Sequence, residues 1–390
     1  MITDRHRELY ELTAEFRTPF YVFDLDGIRS ATLGMMSAWR RNFPHFTLAY
    51  SFKTNCLPAI TTLMRTIGAA AEVVSGPELE IALEEGFEPD RIYFDGPVKS
   101  RAELELALRH RVRIQIDSLD EVATLTDLAP RCGVGPVSVR LAVPRGRRRR
   151  SRFGLLPEEF PVARKLLTES GFQVSGVHFN TGVHPMDAKP YRSVLRAWRS
   201  EIESLFATGS PVPVVIDIGG GFPAQSCTAG EPVPAWNVFA DGVLDECRAL
   251  GWPVDGLHLV IEPGRSLVED HALLVSSVVV RKSRNRRELL VLDCGTNAVR
   301  SISSWFHPVE IMRPGSATYD IYGSMCYESD LFARGVRGPS DILIGDRVVV
   351  GAAGGYDIPS ANVWLRPSPP VYGISEGEPV YLRDEGVAIR

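Results

Sequence analysis

A chain of 390 residues is long for a single domain and favours two. Its composition, 44% hydrophobic and 23% charged, is that of a soluble globular protein, and a net charge of -5 provides no overall attraction for nucleic acid. No apolar run reaches the ~20 residues that span a bilayer, so no membrane partner is expected. Met1–Phe20 is charged and lacks an apolar core, so no signal peptide is expected either. The cysteines at 56, 132, 227, 247, 294 and 326 form no CxxC pair and no zinc-spaced cluster. Free thiols, a cytoplasmic location and no metal site are the expectation.

In chain order, Pro19–Asp24 reads as a first strand. Eight further strands are predicted at Phe46–Ser51, Ala71–Val74, Ile92–Phe94, Ile114–Ile116, Val137–Leu141, Gln173–Val177, Val214–Ile218 and Leu257–Ile261. Helical patterns such as Pro77–Glu85 and Ser100–Arg109 fall between them. Eight strands alternating with helices predict an α/β fold built on a (β/α)8 TIM-like barrel over residues 27–265, with a doubly wound open sheet as the alternative. After Arg265 the pattern changes to strands without long helices, at Leu273–Arg281, Glu288–Leu292, Arg347–Val350 and Val380–Leu382. These predict a mostly β domain over 266–390, joined by the segment 1–26.

In such a barrel the chemistry sits where strands end. Those ends hold Lys53, Glu72, Ser75, Arg140, His178, Gly219–Gly221 and Glu262–Arg265. Alone, Lys53 is a strand-end lysine, and the glycine triplet a flexible turn. Together they offer an amine for an aldehyde, a glycine turn and Arg265 for an anion, and the Glu262 carboxylate for a ring nitrogen. That donor set suits a phosphorylated heteroaromatic aldehyde.

The run of these motifs resembles the fold-type III, pyridoxal-phosphate-dependent decarboxylases, the group of diaminopimelate and ornithine decarboxylases. The matching segments are Tyr50-Ser51-Phe52-Lys53-Thr54-Asn55, Glu72 to Leu79, Gly176-Val177-His178, Asp217 to Phe222 and Glu262-Pro263-Gly264-Arg265, followed by Cys326 to Asp330, Gly345-Asp346 and Gly354-Gly355-Tyr356. The resemblance implies pyridoxal 5'-phosphate as cofactor and a head-to-tail homodimer with shared active sites. It casts Lys53 as the lysine that takes the cofactor aldehyde and Glu262 as the partner of the ring nitrogen. Gly219, Gly220, Gly221, Gly264, Arg265 and Tyr356 fall at phosphate-side positions, and Glu72, His178 and Asn180 elsewhere around the cofactor. Cys326 is cast as a proton donor contributed by the partner subunit. Arg300, Tyr327, Glu328 and Asp330 fall at substrate positions. An anionic ring partner such as Glu262 favours decarboxylation over racemisation.

The chain departs from its relatives in three places. Asn180 stands where a ring-stacking histidine is usual, and Val183 where a serine is usual. Tyr327 stands where diaminopimelate decarboxylases carry a carboxylate. A basic run, Arg145 to Arg152, lies on the mouth side of the predicted barrel. It reads as a solvated loop or as a landing site for negative charge, either a substrate rich in carboxylates or an acidic carrier protein. The expected function is therefore decarboxylation of an amino acid centre in a larger or anionic metabolite, such as a citryl-diamino acid in siderophore assembly. The alternatives are a diaminopimelate or basic amino acid decarboxylase, and a catalytically silent homologue that binds partners.

Overall fold

The computed structural model describes residues 2–143, 151–206, 213–228 and 230–383. Among these, residues within 32–223 and 233–264 form one compact unit, and those within 2–31, 224–232 and 265–383 form the other.

The first unit is a closed barrel of eight parallel strands: His45–Ser51, Ala70–Val73, Ile92–Phe94, Arg113–Ile116, Pro136–Arg140, Gln173–His178, Val214–Asp217 and Leu257–Ile261. The first and last strands close it, with His45 opposite His258 and Leu48 opposite Ile261. The open-sheet alternative is thereby excluded. Every predicted barrel strand is present, with bounds shifted by at most a residue or so. Alternation explains what fills the interior. Ala49, Ala70, Tyr93, Val215 and Val260 pack together as an apolar plug. Ser51, Glu72 and Asp217, two residues further along three of these strands, and Gln115, Arg140 and His178 on the strands between, are buried polar groups. The polar layer therefore lies at the carboxyl ends of the strands.

Side-chain caps start several of the intervening helices. Ser100 accepts from the Glu103 amide at 3.3 Å while the Glu103 carboxylate accepts from the Ser100 amide at 2.6 Å, which sets the helix Arg101–His110 one residue beyond its predicted start. Below the Gly219–Gly221 turn, Phe222 packs between Tyr191 and Phe239, with ring centroids 5.8 and 5.5 Å away. This fixes the turn from beneath.

The second unit is a nine-stranded sheet among the described residues. Its spine is the 13-residue strand Ala272–Arg284, which pairs with Phe20–Asp24, Arg287–Leu292 and Arg347–Gly351. Phe20–Asp24 also pairs with Val371–Ser375. Leu9, Phe20, Val22, Leu273, Val275, Val349 and Ile374 form its core. Four strands were not predicted: Val309–Ile311, Ala317–Tyr322, Leu331–Gly338 and Val371–Ser375. Leu331–Gly338 carries two glycines and two arginines and is mostly solvent-facing, so it lacks the apolar alternation that marks a strand.

Candidate active site

In the barrel unit, Lys53 follows directly on the first barrel strand. Its Nζ donates to both oxygens of Glu72, at 2.7 and 2.6 Å. Glu72 is fully buried and the lysine side chain 39% exposed. Burial pushes the Glu72 carboxyl up to about 7, against the pull of Lys53. Lys99, by contrast, is buried and fully engaged, donating to Gly96 O at 2.6 Å, Gln115 O at 2.8 Å and Glu121 at 2.9 Å. Of these two amines, only Lys53 is placed to react. Glu72 is thus the partner of the lysine, which sequence reasoning had assigned to the cofactor itself.

Behind this pair lies a buried chain of charges. Nδ1 of His178 is 3.0 Å from Asp95 Oδ1, and its Nε2 is 3.5 Å from Glu262 Oε2. Arg140 approaches Asp95 and Asp117, at 3.3 Å each. Gln115 donates to Asp217 at 2.6 Å and to Glu262 at 3.4 Å. Burial and the neighbouring Glu262 charge hold the Asp217 carboxyl well above its ordinary range. His178, expected around the cofactor, is fully buried in this chain. Asp95, Gln115 and Asp217 were missed as site residues. Asp95 follows the strand Ile92–Phe94, so the strand-end rule that singled out Lys53 applies to it equally.

The glycine turn is pressed into its surroundings. A Cβ on Gly219 would lie 2.6 Å from Phe179 O, one on Gly220 2.1 Å from Glu262 O, and one on Gly221 1.9 Å from Gly182 O. Gly219 and Gly221 also have φ of 70° and 85°, which favours glycine. The facing loop is shaped by Asn180, whose Oδ1 accepts from Gly182 N at 2.9 Å, and by His184, whose amide donates to Gly221 O at 2.8 Å. Asn180, expected beside the cofactor ring, therefore braces the loop against the glycine turn. A Cβ on Gly264 would lie 1.9 Å from the Thr54 hydroxyl, so backbone approaches closely there too. Gly221→Ala is expected to lower cofactor affinity by about 10-fold or more and to destabilise the barrel by roughly 1–3 kcal/mol, read by cofactor titration and thermal unfolding. Of the basic run, residues 145–150 lie outside the described residues. Arg152 and Arg140 cover the Phe153 ring, at 4.2 and 4.7 Å.

In the β unit, Arg265 opens a short helix and is buried. It pairs with Glu269 at 2.6 Å and stacks on Trp305 at 3.9 Å and Tyr356 at 4.9 Å. Arg265 and Tyr356, both expected on the phosphate, are thus brought together, with Trp305 as an addition no sequence signal marked. Arg300, Tyr327 and Glu328 line one cavity of about 760 Å³, with Arg334 and Trp364. Tyr327 stacks on Trp364, ring centroids 6.0 Å apart, and its hydroxyl lies 2.8 Å from Thr296 Oγ1. Cys326 is exposed. Asp330, expected to touch substrate, is buried instead. Its carboxylate accepts from the amides of Thr296 and Met325, at 2.7 Å each, and so ties the cavity's two loops together.

Residues 32–269 match the family model described as "Pyridoxal-dependent decarboxylase, pyridoxal binding domain". The chain belongs to this family. Among similar proteins, the diaminopimelate decarboxylase of Aquifex aeolicus is 27% identical over 384 residues, covering 92% of this chain and 87% of that protein. The structure of diaminopimelate decarboxylase from M. jannaschii in complex with L-lysine superposes with a TM-score of 0.86 at 25% identity, covering 96% of this chain and 91% of that one. A structure of SrLDC in complex with PLP and cadaverine gives 0.81 at 25% identity, covering 95% and 93%. As a pyridoxal-dependent decarboxylase the chain is a carboxy-lyase, and its cofactor is pyridoxal 5'-phosphate. No described helix is long and apolar enough to cross a membrane.

The residues present fit this cofactor. Lys53 offers the amine, the close-pressed glycine turn presents backbone without side chains, and Glu262 ends the last barrel strand with a buried carboxylate. When bound, the cofactor supplies the electron sink for loss of the α-carboxylate. The chain's own residues do the rest. Glu72, whose carboxyl titrates near neutrality, can take or return the proton at Lys53 Nζ. Gly219–Gly221 would hold its phosphate by their backbone, and Glu262 would place a carboxylate at its ring nitrogen.

Proposed function

We propose that the chain decarboxylates a basic diamino acid of the diaminopimelate class, as a head-to-tail homodimer in the cytoplasm. The observation that carries the substrate reading is the β-unit cavity, where Arg300, Arg334 and Glu328 gather both charge signs around one space of about 760 Å³. A distal carboxylate would face Arg300, and a distal ammonium Glu328. Arg334 also reaches Asp320 at 3.2 Å, which leaves Arg300 the freer of the two cations. The relatives named above support the same class. Cys326, exposed on the adjoining turn, is assigned as the proton donor to the carbon left by carbon dioxide, across the dimer interface.

A second reading is favoured by one observation. Tyr327 and Trp364 stack where a carboxylate would hold an ammonium, and two arginines face a single acid. That bias suits a larger substrate with carboxylates at its far end, including a citryl-diamino acid or a group carried on an acidic protein. A panel of diaminopimelate, lysine, ornithine and citryl-diaminopropionate, assayed for carbon dioxide release, separates the two. Diaminopimelate should lead, and Arg300→Ala should raise its KM by about 10-fold or more while leaving lysine nearly unchanged. Preference for the citryl compound would replace the first reading with the second. In Cys326→Ala, carbon dioxide release should persist while the product forms slowly or with solvent protons on the wrong face, read by NMR in deuterated water.

A further inference from the structure

We propose that His178 is a positioning residue for the partner of the cofactor's ring nitrogen: clamped as a cation between Asp95 and Glu262, it holds the Glu262 carboxylate in place. This rests on the reading of Glu262 as that partner.

The geometry makes the case. His178 ends its barrel strand with a ring that is completely buried. Its two nitrogens face two different carboxylates, Asp95 at 3.0 Å and Glu262 at 3.5 Å. Both are ion-pair contacts in which the attraction between charges is the larger part. A neutral imidazole carries one N–H and one lone pair. Whichever tautomer it took, the lone pair would face a buried carboxylate at ion-pair distance. Only the imidazolium presents positive charge to both.

Every charged neighbour fits this assignment. The strand on one side places Arg140 opposite His178, and that arginine steadies Asp95. The strand on the other side places Asp217 opposite it. Asp217 accepts from Gln115 at 2.6 Å, and burial and the neighbouring Glu262 raise its pKa well above the ordinary carboxylate range. Burial alone would discharge the ring, but Asp95 and Glu262 outweigh it and raise its pKa to about 10. Glu72 and Lys53 form their own pair nearby. Without the cation, the Glu262 carboxylate would rely on Gln115, at 3.4 Å, to hold it among several buried acids. His178 therefore supplies the positive charge that fixes its position.

The sign of the pH effect follows. A pKa raised to about 10 means that the ring is a cation through neutral pH and the clamp is lost as pH rises through about 10, while the stability it contributes is fully present below the free value of about 6.5.

The test uses the native protein and two variants, His178→Gln and the isosteric Asp95→Asn. Histidine-labelled protein, cofactor-free and loaded, is read by long-range ¹H–¹⁵N NMR, and the visible absorbance of loaded protein is titrated with pH. The His178 ring should carry protons on both nitrogens from about pH 6 to 9. His178→Gln should bring into that interval an absorbance titration absent from the native protein. Asp95→Asn, which keeps the shape, should lower the His178 pKa by about one unit or more. In His178→Gln, kcat should fall about 10-fold or more with KM little changed. A neutral His178 ring at pH 7 would overturn the proposal even if the decarboxylase reading stands. So would absorbance titrations in both variants that superimpose on the native one. If His178→Gln does not fold, the native spectra and Asp95→Asn decide alone.

Discussion

Lys53→Ala and Lys53→Arg are both expected to abolish carbon dioxide release, by at least about 10³-fold, and to remove the visible absorbance of cofactor-loaded protein. The two variants separate chemistry from structure. Lys53 donates to both oxygens of the fully buried Glu72. Alanine leaves that carboxylate without its cation, so Lys53→Ala should also lose thermal stability, by an amount moderated because the lysine is partly exposed. Arginine restores the charge but cannot condense with an aldehyde at neutral pH. Lys53→Arg should therefore be inactive yet close to native in stability. Substantial activity in either variant would remove Lys53 from the mechanism, and equal instability in both would show that Glu72 needs more than charge.

The second large effect is at Glu262. Glu262→Gln keeps the size of the side chain and its place beside Gln115, but removes the negative charge. The structure places that charge at the end of the last barrel strand, beside the glycine turn, whose Gly220 sits against the Glu262 carbonyl. Charge at the ring nitrogen matters most as electrons move into the ring, so the loss should appear in kcat rather than in KM. A fall of about 10²-fold in kcat is expected. Any remaining turnover should shift toward racemisation, because a neutral partner weakens the electron sink that decarboxylation needs. A variant with unchanged kcat, or one whose defect is wholly in KM, would show that Glu262 only binds.

The barrel was legible because its strands are short apolar runs, mostly buried, with a polar or charged residue at or near the carboxyl end. The same feature exposed Lys53, Glu72, His178 and Glu262, since a charged side chain ending an apolar strand has few reasons to be there. Their pairings were not legible. Nothing in the spacing of His178 and Asp95, 83 positions apart, indicates that the ring meets Asp95; their strands are not neighbours, and only closure of the barrel brings the two side chains together across its mouth. Asp330 misled for a related reason. Its motif places it beside Cys326, but its register turns the carboxylate inward onto the Thr296 and Met325 amides. In the β unit the long strand Ala272–Arg284 was visible, yet its half-exposed partners were not, because solvent-facing strands lose their apolar alternation. Trp305 joined Arg265 and Tyr356 with no local signal at all.

One measurement tests the central claim most directly. Cofactor-loaded protein is mixed with meso-diaminopimelate in deuterated water, and carbon dioxide, product and α-deuterium in remaining substrate are followed together. The structure predicts one carbon dioxide per molecule of product, with solvent deuterium in the product and little in unreacted substrate. Deuterium exchange or racemisation without carbon dioxide, in protein whose Lys53 still holds the cofactor, would contradict it.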